Sequence, residues 1–361
     1  MTVRTAIVGL GRIGSLLEND TLREKPCTHA GAIAANPGLT LCAGADTDEE
    51  RRRLFAETWG VPVYADTETM LREERPRILH IATHPDSHLS CCALAARYGV
   101  SVAVCEKPLA DTLAGAKKIA ALHESGTITV ITNHERRYAA DYALAREILS
   151  SGERLGPVIS VRGTLYMGKT RRLLDVLWHD GTHLADAAMF LSGGLLQHRK
   201  TLGSGSGAFR PAGLFPPPFR SAGTAGRRAL DTRSVYLLGS LENPMVPLAD
   251  KARAIPFIME LGAGRDHLVF ELEFSCGQGR LRIGNGIFEV WESRESPYAE
   301  GFRSLEKTRD RFTDKTGYFS AMAANALACA LDRTRIPLSS AADGLRVIRY
   351  LHSVGAWRGP V

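Results

Sequence analysis

Thr5-Ala6-Ile7-Val8-Gly9-Leu10-Gly11-Arg12-Ile13-Gly14-Ser15 decides the fold. An apolar run of strand type meets three glycines spaced G-x-G-x-x-G and then a helix start. In that setting the first glycine makes a tight turn, the second lets a ligand approach the backbone, and the third lets helix pack on strand. A helix N-terminus placed there offers N–H donors and a positive dipole to a phosphate. The stretch therefore predicts the first βα turn of a doubly wound parallel sheet and a dinucleotide pyrophosphate held on it.

The next strand, Leu39-Thr40-Leu41-Cys42-Ala43-Gly44-Ala45, ends in Asp46. A carboxylate there accepts hydrogen bonds from ribose hydroxyls and repels a 2′-phosphate, so the expected cofactor is NAD rather than NADP. Asp46 stands 32 residues after Gly14, against the usual ~20. The excess lies in Glu18–His29, a polar stretch with Pro26 that breaks the helical period and reads as a loop inserted at the crevice mouth. Either Thr28 or His29 lies near the cofactor, or the loop is a surface excursion. Arg51–Arg53 reads as a solvated helix face, with a 2′-phosphate as the alternative partner.

Further β-α alternation follows. Ile78–Thr83 is a third buried strand, ending in the turn His84-Pro85-Asp86-Ser87-His88, with a helix through Tyr98. Thr83, His84, Pro85 and His88 thus sit at another strand's carboxyl edge, where nicotinamide and its ribose pass. Val102-Ala103-Val104-Cys105 then stops abruptly in Glu106-Lys107-Pro108-Leu109. Proline lacks the donor a central strand needs and biases Lys107 toward extended backbone. A lysine at that strand end points into the crevice where open α/β sheets bind ligands. The bland alternative, a solvated pair leaving a strand, weakens beside the upstream glycine loop and Asp46.

With 361 residues the chain exceeds one ordinary core, so two domains are expected: 1–126, cofactor-binding, and 127–361, α+β and substrate-binding. Hydrophobic content of 44% and charge of 23% are those of a globular protein, and no run approaches the ~20 apolar residues of a membrane span. The formal charge of +6 is dispersed and poorly interleaved with aromatics, which argues against nucleic acid but admits an anionic substrate. Seven cysteines (Cys27, Cys42, Cys91, Cys92, Cys105, Cys276, Cys329) lie mostly in apolar runs without metal or disulfide spacing, as buried thiols of a cytoplasmic protein would.

Gly9-Leu10-Gly11-Arg12-Ile13-Gly14, the Thr83/Pro85/His88 turn and Cys105-Glu106-Lys107-Pro108-Leu109, in this order and spacing, resemble the glucose–fructose oxidoreductase / inositol dehydrogenase / rhizopine catabolism family, written Gfo/Idh/MocA. The likeness is close over the first ~135 residues and looser beyond. It implies an oxidoreductase with Lys107 at both nicotinamide and substrate. It also implies cofactor contacts from Gly9, Gly11, Arg12, Ile13, Gly14, Asp46, Thr83, His84, Pro85, His88, Glu106 and Lys107. Contacts from Asn133 and Arg137 to substrate or cofactor, and a homodimer or homotetramer, are implied in the same way.

Trp178-His179-Asp180-Gly181-Thr182-His183-Leu184-Ala185-Asp186 leads into an apolar helix. His179 and His183, four apart, would share a helix face. That is half a zinc spacing without further ligands, and no metal is expected. The family resemblance instead implies Asp-x-x-x-His here, with His183 as acid/base on the substrate hydroxyl. Four residues before His183 stands His179, and Asp180 is one place late. Either His179 makes different substrate contacts, or Asp180 orients His183 from another angle, or turnover has been lost.

Lys169-Thr170-Arg171-Arg172 reads as a solvated basic turn or a holder of a substrate anion. Residues 199–233 form a Gly/Pro/Ser/Arg-rich insertion, read as a long loop or subunit arm. Alternating runs from Arg233 to Trp291 predict a mostly antiparallel, open-faced sheet, followed by helices over 317–332 and 340–354.

The expected function is NAD-dependent hydride transfer with a secondary alcohol or ketone of a sugar, cyclitol or derivative. Two alternatives stay open: a non-catalytic NAD-binding sensor on the same fold, and an oxidation–elimination enzyme with retained cofactor.

Overall fold

Val3–Val8 (β1), Leu39–Ala45 (β2), Val63–Tyr64 (β3), Ile78–Ile81 (β4), Val102–Glu106 (β5) and Thr129–Asn133 (β6) form an all-parallel sheet. The strand order is β3-β2-β1-β4-β5-β6. β4 and β5 are buried along their whole length, as parallel strands covered on both faces must be. The order reverses between β1 and β4, and ligands of doubly wound sheets bind at such a switch point, outside the carboxyl ends.

The computed structural model describes residues 2–168, 173–203, 234–247, 254–312 and 315–356. The basic stretch Lys169–Arg172 and the larger part of the 199–233 insertion, 204–233, lie outside the described residues. Packing divides the chain into one unit of Met1–Ala140 with Lys315–Ile348, and a second of Asp141–Asp314 with Arg349–Val361. Sequence reading ended the first domain at 126. The difference has two causes: β6 is hydrogen-bonded to β5, and the helix Tyr318–Leu331 places Phe319, Met322, Ala323 and Ala326 in the first unit's core.

The helix expected directly after Gly14 is interrupted. One turn forms, with Ser15 N and Leu16 N donating to Gly11 O and Leu17 N to Arg12 O, and a 3-10 segment follows at Leu16–Asn19. The chain then loops out and resumes as His29–Ala34, capped by Thr28 Oγ1 on Gly31 N at 3.0 Å. On resuming, His29 N donates to Ile13 O and Ala30 N to Gly14 O. In an unbroken helix, residues 17 and 18 would make those bonds. The loop is therefore an insertion of twelve residues that leaves the helical ladder in register. Without those twelve, Asp46 stands at the usual spacing of ~20 from Gly14.

In the second unit, Val158–Tyr166 (β7), Leu195–Gly203 (β8), Ser234–Glu242 (β9), Ala254–Gly262 (β10), Val269–Cys276 (β11), Gly279–Gly284 (β12), Ile287–Glu295 (β13) and Arg303–Lys307 (β14) make a second sheet. Its order is β14-β13-β12-β11-β7-β10-β9-β8, antiparallel except for the β7–β10 pair. β8, β10 and β14 had no counterpart in the sequence reading. Pro256 obscures β10, yet it pairs only with Ser240 of β9, one residue before the β7 ladder begins at Phe257.

One face of this sheet packs on Gly181–Ser192, a helix buried at every position except His183. Gly163 makes room for it: a Cβ there would stand 2.9 Å from Leu184 Cδ2. The other face carries Tyr236, Ile258 and Glu260, then a charged ladder. Arg282 lies 2.7 Å from Glu271 and 2.9 Å from Glu289, which also pairs with Lys307 at 2.6 Å.

Candidate active site

The glycine loop stands where β1 meets β4. Gly9 has φ +89°, and a Cβ on it would approach Ala82 O and Thr83 N to 2.6 and 2.8 Å. A Cβ on Gly14 would collide with the carbonyl oxygen of Gly9. Gly11 is different: the nearest atom to its would-be Cβ is Arg51 Nη1, at 3.5 Å. Two glycines thus serve the chain's own packing, and the middle one leaves backbone open toward a ligand, the division a pyrophosphate cradle requires. Arg12 is exposed, and Ile13 is half-buried against the core.

Asp46 follows β2 and is buried. Its Oδ2 accepts from Leu10 N at 2.8 Å and its Oδ1 from Asp48 N at 3.0 Å, fixing the carboxylate beside the glycine loop. Arg51 Nη1 is 3.7 Å from Oδ2. Arg52 bonds the Asp46 and Thr47 carbonyls, and Arg53 pairs with Glu50 and Glu57. Among the three arginines, Arg51 is the one standing over the loop. Open Gly11, the fixed Asp46 carboxylate and the crowded Gly9 and Gly14 fit an adenine dinucleotide.

Thr83 and His84 continue the edge from β4. Ser87 Oγ donates to Thr83 Oγ1 at 2.7 Å and to His84 O at 2.9 Å, closing the turn; Pro85 is half-buried in it and His84 is exposed. His88 is buried and brackets this turn to the next. Its Nε2 is 3.2 Å from Thr83 O, and its Nδ1 is 3.1 Å from Pro108 O. Burial pushes its pKa down although the carbonyl partners favour the charged form, and in its neutral form the ring donates to one side at a time.

Lys107 leaves the carboxyl end of β5, half-buried, its peptide to Pro108 cis. Glu106 beside it is buried. Burial alone would raise its pKa, but hydrogen bonds from His29 and Asn133, with the Lys107 charge, hold it below the usual carboxylate range. Asn133 Nδ2 donates to Glu106 Oε1 at 2.6 Å and His29 Nε2 lies 2.9 Å from the same oxygen. Asn133, implied by the resemblance to meet substrate or cofactor, holds Glu106 with its side-chain amide. Arg137 lies 3.2 Å from Asp343 Oδ1 and donates to Leu338 O. His80, fully buried on β4 and 2.8 Å from His29, had no place in the sequence reading; a histidine inside the apolar run Ile78–Ala82 was its signal.

In the second unit, His179 closes the helix Leu173–His179 and Asp180 separates it from Gly181–Ser192. His179 is thus the last residue of one helix and His183 lies in the first turn of the next. His183 N donates to Asp180 O at 3.1 Å, and Thr182 Oγ1 to His179 O at 2.8 Å. Among the described residues, no three His, Cys, Asp or Glu gather as a metal site would.

Residues 3–134 match the family model described as "Oxidoreductase family, NAD-binding Rossmann fold" (GFO_IDH_MocA). Over that stretch the chain is similar to the Gfo/Idh/MocA family. It is similar to the D-apiose dehydrogenase of Paraburkholderia graminis, 30% identical over 167 residues, 43% of this chain and 44% of that protein. It is also similar to the inositol 2-dehydrogenase of Rubrobacter xylanophilus, 32% identical over 124 residues, 34% and 35% of the two chains. The chain thus spans less than half the length of these relatives. A solved UDP-N-acetylglucosamine 3-dehydrogenase from Acidithiobacillus ferrooxidans shares the fold over 98% of both chains, with TM-score 0.70 at 15% identity. The matched residues take in the parallel sheet of the first unit and the Glu106-Lys107-Pro108 strand end within it.

Proposed function

We propose that the protein is an NAD-dependent dehydrogenase acting between a secondary alcohol and the ketone of a sugar, cyclitol or related polyol. One observation carries the reading. Lys107 leaves β5 at the same carboxyl edge that holds the open Gly11 backbone and the Asp46 carboxylate. Bound nicotinamide supplies the hydride acceptor. The Lys107 ammonium stabilises alkoxide character on the substrate oxygen, as a cation placed where charge develops can do, while the hydroxyl proton leaves to a base. His183 is the proposed acid/base, since an imidazole changes charge near neutral pH. His179 and Asp180 are proposed as its neighbours at the substrate. The Asp46 carboxylate supports NAD over NADP.

The seven free, buried cysteines support a cytoplasmic setting. The outer face of the second sheet, with Tyr236 and Ile258 exposed, supports a homodimer or homotetramer closed over it.

The test is NADH formation across a panel of polyols, with NAD binding followed separately by fluorescence. Turnover that Lys107→Ala abolishes while NAD still binds is the expected result; a fully active K107A variant removes Lys107 from the chemistry. His179 in place of the family's aspartate favours a second reading, a non-catalytic NAD sensor. Tight NAD binding with no turnover on any polyol would support it. Product without net NADH would point to a retained-cofactor cycle.

A further inference from the structure

Glu106 terminates a chain of buried polar groups that the proposed chemistry leaves unexplained. Its Oε1 lies 2.9 Å from His29 Nε2 and accepts from Asn133 Nδ2, while its Oε2 faces the Lys107 backbone N at 3.3 Å. The other nitrogen of His29, Nδ1, stands 2.8 Å from His80 Nδ1. Both rings are fully buried, and the Phe319 ring packs edge-on against His29 at 5.5 Å. Among the described residues, His80 Nε2 is buried without a partner.

These partners assign the protons. An ionised carboxylate only accepts, so His29 Nε2 carries hydrogen. A neutral His29 then accepts at Nδ1, so His80 carries its hydrogen on Nδ1. The arrangement leaves a lone pair at His80 Nε2. A protonated His29 would force the opposite tautomer on His80 and leave an N–H buried with no acceptor, the rarer and costlier defect.

We infer that His29 and His80 form a fixed-tautomer relay that holds Glu106 ionised and oriented beside Lys107, making His29 a positioning residue for that lysine. The inference rests on the reading that Lys107 works at the reactive centre. It also gives the insertion a purpose to respect: the twelve extra residues return the chain in register, so that His29 arrives opposite Glu106. Glu18 secures the return, its Oε2 accepting from Cys27 N at 3.1 Å and from Thr28 Oγ1 at 2.6 Å. The groups facing the relay are Asn133 from β6, Lys107 from the end of β5, and Phe319 from the helix Tyr318–Leu331. Without the His29 hydrogen bond, buried Glu106 takes up a proton more readily, and Lys107 loses the negative charge that favours its ammonium form.

Two measurements on the whole protein test this without a known substrate. Imidazole ¹⁵N spectra of the unmodified chain should show His29 as the Nε2–H and His80 as the Nδ1–H tautomer across neutral pH; the Nε2–H tautomer at His80 overturns the relay. The second measurement follows the titration of ¹³C-dimethylated Lys107, its signal assigned by its loss in K107A. In His29→Leu the Lys107 pKa should fall by about half a unit or more, and His29→Gln, which keeps both a donor and an acceptor, should restore it. Identical Lys107 titration in a folded H29L overturns the proposal. If H29L does not fold, the tautomer spectra alone decide. Turnover of K107A is read separately, so a failed relay and a non-catalytic Lys107 give different results.

Discussion

At single residues, the glycine loop separates packing from binding. Gly14 has no room for a methyl group because Gly9 O occupies the space. Gly14→Ala should therefore cost about 1–3 kcal/mol, the range for overpacking a tight contact, read as a lowered denaturant midpoint. Asp46 is a different kind of residue: its oxygens accept from Leu10 N and Asp48 N, and its charge is the proposed partner of the ribose. Asp46→Ser keeps a polar group but removes the charge. The expected outcome is a lower ratio of NAD to NADP affinity, and an unchanged ratio would show that the carboxylate does not set the preference.

Among the elements, the interrupted first helix has the most to say. Glu24, inside the inserted loop, accepts from Gly317 N at 2.7 Å and from Thr316 N and Oγ1 at 2.9 Å, at the start of the helix Tyr318–Leu331. Burial opposes the charge on Glu24, but these bonds win and its pKa is lowered. A carboxyl depressed in the folded state stabilises the fold above its unfolded pKa, and that stability is lost as pH falls through the folded value. Glu24→Gln should cost about 1 kcal/mol near neutral pH, and the gap to the unaltered protein should close in acid. Such a loop was only half legible beforehand. Pro26 and the polar run Glu18–His29 announced an interruption, and Asp46's long spacing gave its size. That His29 would be buried against Glu106 was hidden, because the contact joins residues 77 apart and no local pattern encodes it. The strand ends at Gly9, Asp46 and Lys107 were readable for the opposite reason: each is a local break in an apolar run. Pro256 misled because a proline at the margin of a ladder reads in sequence like one that forbids it.

On the scale of the whole molecule, the first unit is discontinuous in sequence. Phe319, Met322 and Ala326 of the returning helix belong to the same core as Ile7, Leu10 and Ile33. A chain truncated after residue 314 should accordingly lose the cooperative unfolding of the cofactor unit and its NAD binding, by calorimetry and fluorescence. Retained NAD affinity would mean that the parallel sheet folds without that helix. The second unit bears on assembly. Ile258 and Tyr236 face outward on neighbouring strands, beside the Arg282 ladder. Ile258→Asp should shift the mass seen by light scattering toward the monomer; no shift would place the subunit contact elsewhere.

The register across the inserted loop gives the first helix a property of its own. His29 and Ala30 bond to Ile13 and Gly14 as residues twelve places earlier would in a continuous helix. Segment length is thereby uncoupled from ring position: the loop can be lengthened or replaced at residues 20–23, between the Glu18 and Glu24 anchors, while His29 keeps its seat opposite Glu106. The molecule carries a natural graft point a few residues from its glycine turn, where new surface can be added without moving the buried imidazole.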